Sequence, residues 1–144
     1  MSRGMTVDSG AADNVMPRRM IRGLLNKIRE SAGSRAGVHY VAANNGRIPN
    51  EGECDFTFIT DDGQEETWTF QVAAVNKALC AVSYLVDHGY RVIFDRDDRT
   101  GVDTSHILNK STGKSIKMVR EKNVWTIDAF IDEKDKDVDF VRRG

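Results

Sequence analysis

A short run of small and acidic residues near the start of the chain could carry hydrolytic chemistry. Asp8, Ser9 and Gly10 directly follow the apolar residues Met5-Thr6-Val7. Hydrolysis of a peptide bond needs one carboxylate that takes a proton from water and a second carboxylic acid that polarises the scissile carbonyl. Because the run occurs once, one chain supplies one such aspartate, and a symmetric dimer would supply two.

The residues beside Asp8 have properties that a paired site would use. The Ser9 hydroxyl could hydrogen-bond across a dimer interface, and Gly10 would let two backbones approach where a Cβ would clash. Two facing aspartates would hold one shared proton, because their like charges resist simultaneous ionisation. The alternative interpretation is an ordinary turn, since Asp, Ser and Gly all favour turns.

Four stretches of the chain, taken in order, resemble the retropepsin-like aspartic peptidases, and more closely the version encoded in copia-type retrotransposon polyproteins. The stretches are MTVDSGAADNVMP, VHYVAANNGRIPNEGECDFTF, ETWTFQVAAVNKALCAVSYLVDHGYRVIF and NKSTGKSIKMVREKNVWTID. The resemblance implies a mainly β, closed β-barrel-like domain and a homodimeric endopeptidase with one catalytic Asp8 per subunit. Its substrate would be peptide sites in its own polyprotein, cleaved between apolar residues. No metal or organic cofactor is implied.

The same resemblance implies roles for residues around Asp8. Asp8, Ser9 and Gly10 would form the catalytic loop, and a hairpin further along would be the flap that folds over bound peptide. The positions implied to contact substrate are Ala11, Ala12, Asp13, Asn44, Asn45, Gly46 and Ala81.

Two departures from the family pattern leave a second function class open. Ala81 stands where retropepsins usually have glycine, and its methyl group is tolerable if φ is negative. Only seven residues precede Asp8, whereas relatives enter through a longer strand that helps to build the dimer. The chain could therefore be truncated or dimerise differently, and the alternative is a catalytically inactive dimerisation or peptide-binding module.

Hydrophobic patterning predicts the elements that would position the loop. An amphipathic helix is expected over about residues 17–31, and a short helix over about residues 82–88. Two strands are expected to join at residues 44–46, and a second hairpin to turn at residues 61–63. Alternating aromatic residues in that second hairpin are expected to fill the core; these are Phe56, Phe58, Trp68 and Phe70.

Length and composition predict one small globular domain with additions at its C-terminal end. The chain has 144 residues, of which 40% are hydrophobic and 30% charged, which is enough for one core. Residues 1–95 are predicted to form the peptidase core, and residues 96–131 a β-meander extension packed on it. Residues 132–144 alternate in charge and are predicted to form a flexible tail.

Charge and cysteine usage bear on partners and compartment. The formal charge of −1 does not predict binding to nucleic acid or to an anionic membrane. Arg18, Arg19 and Arg22 lie on one face of the predicted helix, and this face is either solvated or a nucleic-acid surface.

Cys54 and Cys80 are isolated thiols, and neither they nor the histidines form a metal-binding pattern. No apolar run reaches membrane-spanning length and no signal peptide is evident. We therefore expect an intracellular protein that is not secreted, located in the cytoplasm or in a retrotransposon-derived particle.

Overall fold

The computed structural model describes residues 2–42 and 44–131, and over these ranges the protein is mainly β. Two α-helices occur in this part of the chain, α1 (Ala32–Arg35) and α2 (Val82–Asp87). The strands of the same ranges are β1 (Ser2–Asp8), β2 (Val15–Met16), β3 (His39–Val41), β4 (Arg47–Pro49), β5 (Glu53–Ile59), β6 (Glu65–Val72), β7 (Ala78–Ala81), β8 (Tyr90–Ile93), β9 (His106–Asn109), β10 (Ser115–Lys117), β11 (Val119–Glu121) and β12 (Val124–Phe130). The tail predicted at residues 132–144 lies outside the described residues.

Seven strands form the main sheet, in the order β1-β7-β2-β6-β5-β12-β11. Strand β1 also pairs with β12, so it lies between β7, which is parallel to it, and β12, which is antiparallel. Six strands thus form a ring, but β5 and β12 meet only at the pair Phe130 and Ile59. The mainly β prediction is confirmed, and the ring is not a clear barrel.

The hairpin of β5 and β6 supplies the aromatic centre of the core. Burial alternates along both strands, as expected when successive side chains point to opposite faces of a sheet. Phe56, Phe58, Trp68 and Phe70 are all buried, and Phe58 meets Trp68 edge to face with ring centroids 4.9 Å apart. Burying each such side chain contributes about 1.5–3 kcal/mol, and the predicted aromatic core and hairpin are confirmed.

The amphipathic helix predicted over residues 17–31 is wrong in type and in length. A 3₁₀ segment spans Arg18–Lys27 and is interrupted at Ile21, which has non-helical dihedrals. Beyond the segment, Arg29 exchanges two backbone hydrogen bonds with Glu53, at 2.9 and 2.8 Å. A residue held in a β-bridge cannot continue a helix. The pairing of Arg29 with Glu53 therefore prevents a helix from extending to residue 31. The side chain of Arg22 lies outside what the structure describes.

Residues 96–131 contribute to two sheets. Strand β9 pairs with β8 and β10 to form a three-stranded sheet. Strand β12 pairs with β1 at six consecutive positions, from Ser2 opposite Phe130 to Val7 opposite Trp125. The predicted extension therefore joins the core through backbone hydrogen bonds and not only through side-chain packing. Whether residue 95 divides the chain into two units stays a prediction.

The helices of the described ranges are all too short or too polar to cross a bilayer.

Candidate functional site

Asp8 lies at the end of β1, where the main sheet opens onto a surface loop. It is paired in parallel register with Ala81, the last residue of β7. Its carboxylate is partly exposed, and Oδ1 accepts a hydrogen bond of 2.8 Å from the N–H of Gly10. This local bond turns the chain tightly after Asp8. None of the ion pairs between side chains that the structure describes involves Asp8.

Ala81 fits its position without backbone strain. Its φ is −76° and its ψ is 128°, which is an extended conformation open to any L-residue. The condition for tolerating a methyl group in place of the family's glycine is therefore met. The residue is fully buried, and α2 begins directly after it.

Asn14 anchors the far end of the loop that begins at Asp8. Its side chain is only 2% exposed. The amide oxygen accepts a 2.7 Å hydrogen bond from the N–H of Ala81, and the amide nitrogen donates a 3.0 Å bond to the carbonyl of Thr69. Asn14 thus joins β7 to β6 and fixes the loop at its second end.

Asn14 is not among the site residues that the sequence predicted. Asparagine is an ordinary turn residue, so its type alone does not single it out. The available signal was its place between a polar loop and the buried pair Val15 and Met16, where a side chain that can both donate and accept is needed.

The middle of the loop is open to solvent. Ser9, Gly10, Ala12 and Asp13 are exposed, and Ala11 is partly exposed. A Cβ built on Gly10 would lie 3.4 Å from Oδ1 of Asp8, which is an ordinary contact. Within one chain a methyl group would therefore fit. The expectation that glycine allows close approach of two backbones concerns a second subunit and stays a prediction.

The predicted turn at residues 44–46 closes a hairpin in which β3 and β4 pair only with each other. Asn45 has a φ of 65°, as expected for an Asn-Gly turn, and the N–H of Gly46 donates to Oδ1 of Asn44 at 2.9 Å. These turn residues are exposed. In the described part of the chain, the hydrogen bond between hairpin and loop comes from Tyr40, whose hydroxyl donates to Oδ2 of Asp13 at 3.1 Å.

Three basic residues in or near the 3₁₀ segment, Arg18, Arg19 and Arg29, are engaged within the chain. Arg18 pairs with Glu51 at 2.5 Å, and the Arg19 guanidinium donates to backbone carbonyls of residues 75 and 76. Arg29 pairs with Asp55 at 3.0 Å, and its hydrogen bonds hold the pKa of that carboxyl below its usual value. These partners offset positive charge that a nucleic acid would otherwise meet, which favours a solvated structural face.

The two thiols do not form a nucleophilic site. Cys54 and Cys80 are free and buried, and burial raises the pKa of the Cys80 thiol. A buried thiol with a raised pKa stays protonated and unreactive. In residues 2–42 and 44–131 no group of three or more His, Cys, Asp or Glu side chains is placed to hold a metal ion.

Comparison with protein-family models, curated proteins and solved structures finds no match for this chain. Membership of the retropepsin-like family therefore stays a prediction, and the geometry around Asp8 is what bears on function.

Proposed function

We propose that this chain is a retropepsin-like aspartic endopeptidase that acts as a homodimer with one Asp8 from each subunit. The observation that carries the proposal is the position of Asp8 and Ala81 at the ends of two neighbouring parallel strands. A loop of small, exposed residues projects from these strand ends, between anchors at Asp8 and Asn14. Such a loop can meet its two-fold copy without large side chains in the way.

The proposed reaction uses two carboxyl groups and one water. The ionised Asp8 takes a proton from water as the water oxygen attacks the scissile carbonyl carbon, and the protonated Asp8 of the other subunit gives its proton to the carbonyl oxygen. The Asp8 carboxylate of the other subunit then takes back a proton from one hydroxyl of the tetrahedral intermediate, so that the C=O bond re-forms as the C–N bond breaks. The proton taken from water passes to the departing nitrogen, which leaves as an amine.

The substrate in this proposal is an extended peptide lying between the loop and the β3–β4 hairpin. An extended chain can form backbone hydrogen bonds as an added strand. The small side chains of Ala11 and Ala12 would leave room for apolar substrate side chains. Processing of a retrotransposon-type polyprotein is the biological form of this activity that the family resemblance supports.

Replacement of the proposed catalytic acid tests the proposal. We expect the purified protein to cleave an apolar peptide library, fastest at mildly acidic pH where the pair holds one proton. Asp8→Asn should lower the rate by at least about 100-fold, because it removes general acid–base catalysis. Asp61→Asn is the matched control, since Asp61 is an exposed aspartate in the β5–β6 turn, and its rate should equal that of the wild type.

Three outcomes would count against the enzyme. Equal cleavage by wild type and Asp8→Asn would remove Asp8 from the mechanism. Peptide binding without cleavage in both proteins would favour the inactive peptide-binding module. A protein that sediments as a monomer, with and without a peptide inhibitor, would lack the second aspartate that the reaction needs.

A further inference from the structure

The β3–β4 hairpin presents one face to the molecule and the other to solvent. Tyr40 and Ile48 are cross-strand partners, and both are partly buried. The remaining strand residues, His39, Val41, Arg47 and Pro49, are exposed. A two-stranded sheet this short is not stable alone. Contacts of its inward face and of its ends must therefore determine where it sits.

Asn50 holds one end of the hairpin against the main sheet. It directly follows β4 and is only 8% exposed. Its amide nitrogen donates to Oε1 of Gln71 on β6 at 2.9 Å, and its amide oxygen accepts from the N–H of Gly52 at 2.8 Å. The same nitrogen lies 3.4 Å from the hydroxyl of Tyr40 and donates to it. Asn50 thus links the main sheet to the inward face of the hairpin.

Tyr40 continues this link to the candidate catalytic loop. Its hydroxyl accepts from Asn50 and donates to Asp13 at 3.1 Å. Desolvation, and then the nearby Asp13 carboxylate, raise the pKa of the Tyr40 hydroxyl. The hydroxyl therefore keeps its proton and remains a donor at neutral and mildly acidic pH. A continuous hydrogen-bond chain joins Gln71, Asn50, Tyr40 and Asp13.

We propose that Tyr40 is a positioning residue for peptide binding: its hydrogen bond to Asp13, supported by Asn50, holds the hairpin at a set height above the loop of residues 9–13. The peptide-binding part of this inference rests on the proposed function, which places the peptide between the β3–β4 hairpin and the loop. Ile48 lies beside Tyr40 on the same face and would contact the peptide. Loss of the Tyr40 hydroxyl should loosen the hairpin and weaken peptide binding, with little effect on the chemical step at Asp8.

Amide hydrogen exchange of the hairpin tests the hydrogen bond independently of any activity. We expect Tyr40→Phe and Asp13→Ala each to speed exchange of the hairpin amides roughly threefold to tenfold, since a bond to a charged group is lost at a partly exposed site. The double variant should exchange no faster than Tyr40→Phe alone, because Tyr40→Phe already removes the bond to Asp13. Asp13→Asn keeps an acceptor oxygen and should restore near wild-type exchange. His39→Ala changes an exposed residue of the same strand and is the matched control.

Peptide kinetics test the positioning role. For an apolar decapeptide substrate we expect Tyr40→Phe to raise KM about threefold to tenfold, because the same hydrogen bond to Asp13 is lost. The kcat should change less than twofold, since the chemical step at Asp8 is not affected. An unchanged KM, or independent exchange effects in the double variant, would overturn the inference. If the wild type binds the decapeptide without cleaving it, the enzyme proposal fails. In that case a higher Kd of Tyr40→Phe for the decapeptide would still support the positioning role, and an unchanged Kd would refute it.

Discussion

Replacement of Asn14 by alanine should destabilise the fold and release the candidate catalytic loop at one end. The change removes two buried hydrogen bonds, of 2.7 Å from Ala81 and 3.0 Å to Thr69. Each bond contributes about 0.5–1.5 kcal/mol net, and a buried partner left unsatisfied costs about 1–3 kcal/mol. The N–H of Ala81 and the carbonyl of Thr69 would both lose their side-chain partner. We therefore expect the free energy of unfolding to fall by about 2–4 kcal/mol.

Urea unfolding followed by tryptophan fluorescence measures this loss. With a slope of about 2 kcal/mol/M, the midpoint for Asn14→Ala should drop by roughly 1–2 M. Asn76→Ala is the matched control, because Asn76 is exposed and its side chain makes no hydrogen bond within the described residues. All proteins should be compared at one concentration, since dimerisation would add to apparent stability. Similar midpoints for Asn14→Ala and Asn76→Ala would refute the anchoring role.

Two further predictions concern backbone strain and alkaline stability. Gly52 has a φ of +125°, and a Cβ there would lie 2.5 Å from the carbonyl oxygen of Arg29. Gly52→Ala should lower the melting temperature by about 5 °C or more. Gly63 also has a positive φ, but a Cβ there would meet open space, so Gly63→Ala should lower the melting temperature less. Equal losses for the two variants would contradict a collision between the new Cβ at residue 52 and the carbonyl oxygen of Arg29. Burial, and then a hydrogen bond to Glu66, raise the pKa of Tyr90 from 10.0 to about 12. Because the folded pKa lies above the unfolded one, this stabilisation is complete below pH 10 and is lost as pH rises toward 12. The stability difference between wild type and Tyr90→Phe should shrink over that window in urea titrations, and a constant difference would contradict the assignment.

Local patterns were sufficient for the elements in which each residue's environment depends on its neighbours in sequence. Alternating aromatic residues predicted the β5–β6 hairpin, because successive strand residues face opposite sides of a sheet. Asn45 adopts the positive φ expected of its turn. The short helix α2 also occurs where its apolar spacing predicted it, and Gly89 follows it with a φ of 90°.

Apolar spacing was misleading where a long-range partner competed with local structure. Residues 17–31 have helical periodicity, yet Arg29 pairs with Glu53 of β5 through two backbone hydrogen bonds and through its guanidinium. The same limit applies to the candidate site. Asp8 could be selected from its residue type and its neighbours. Asn14 and Tyr40 could not, because their contribution comes from hydrogen bonds to residues distant in sequence.

The amino-acid sequence by itself determined which segments could form strands and turns and which short loop could carry a reactive carboxylate, because these properties depend on side-chain chemistry over a few neighbouring residues. Only the tertiary structure placed β1 between β7 and β12 and brought Asp8 beside Ala81. That adjacency depends on strand register and on joint burial of segments far apart in the chain. No local pattern encodes either of them.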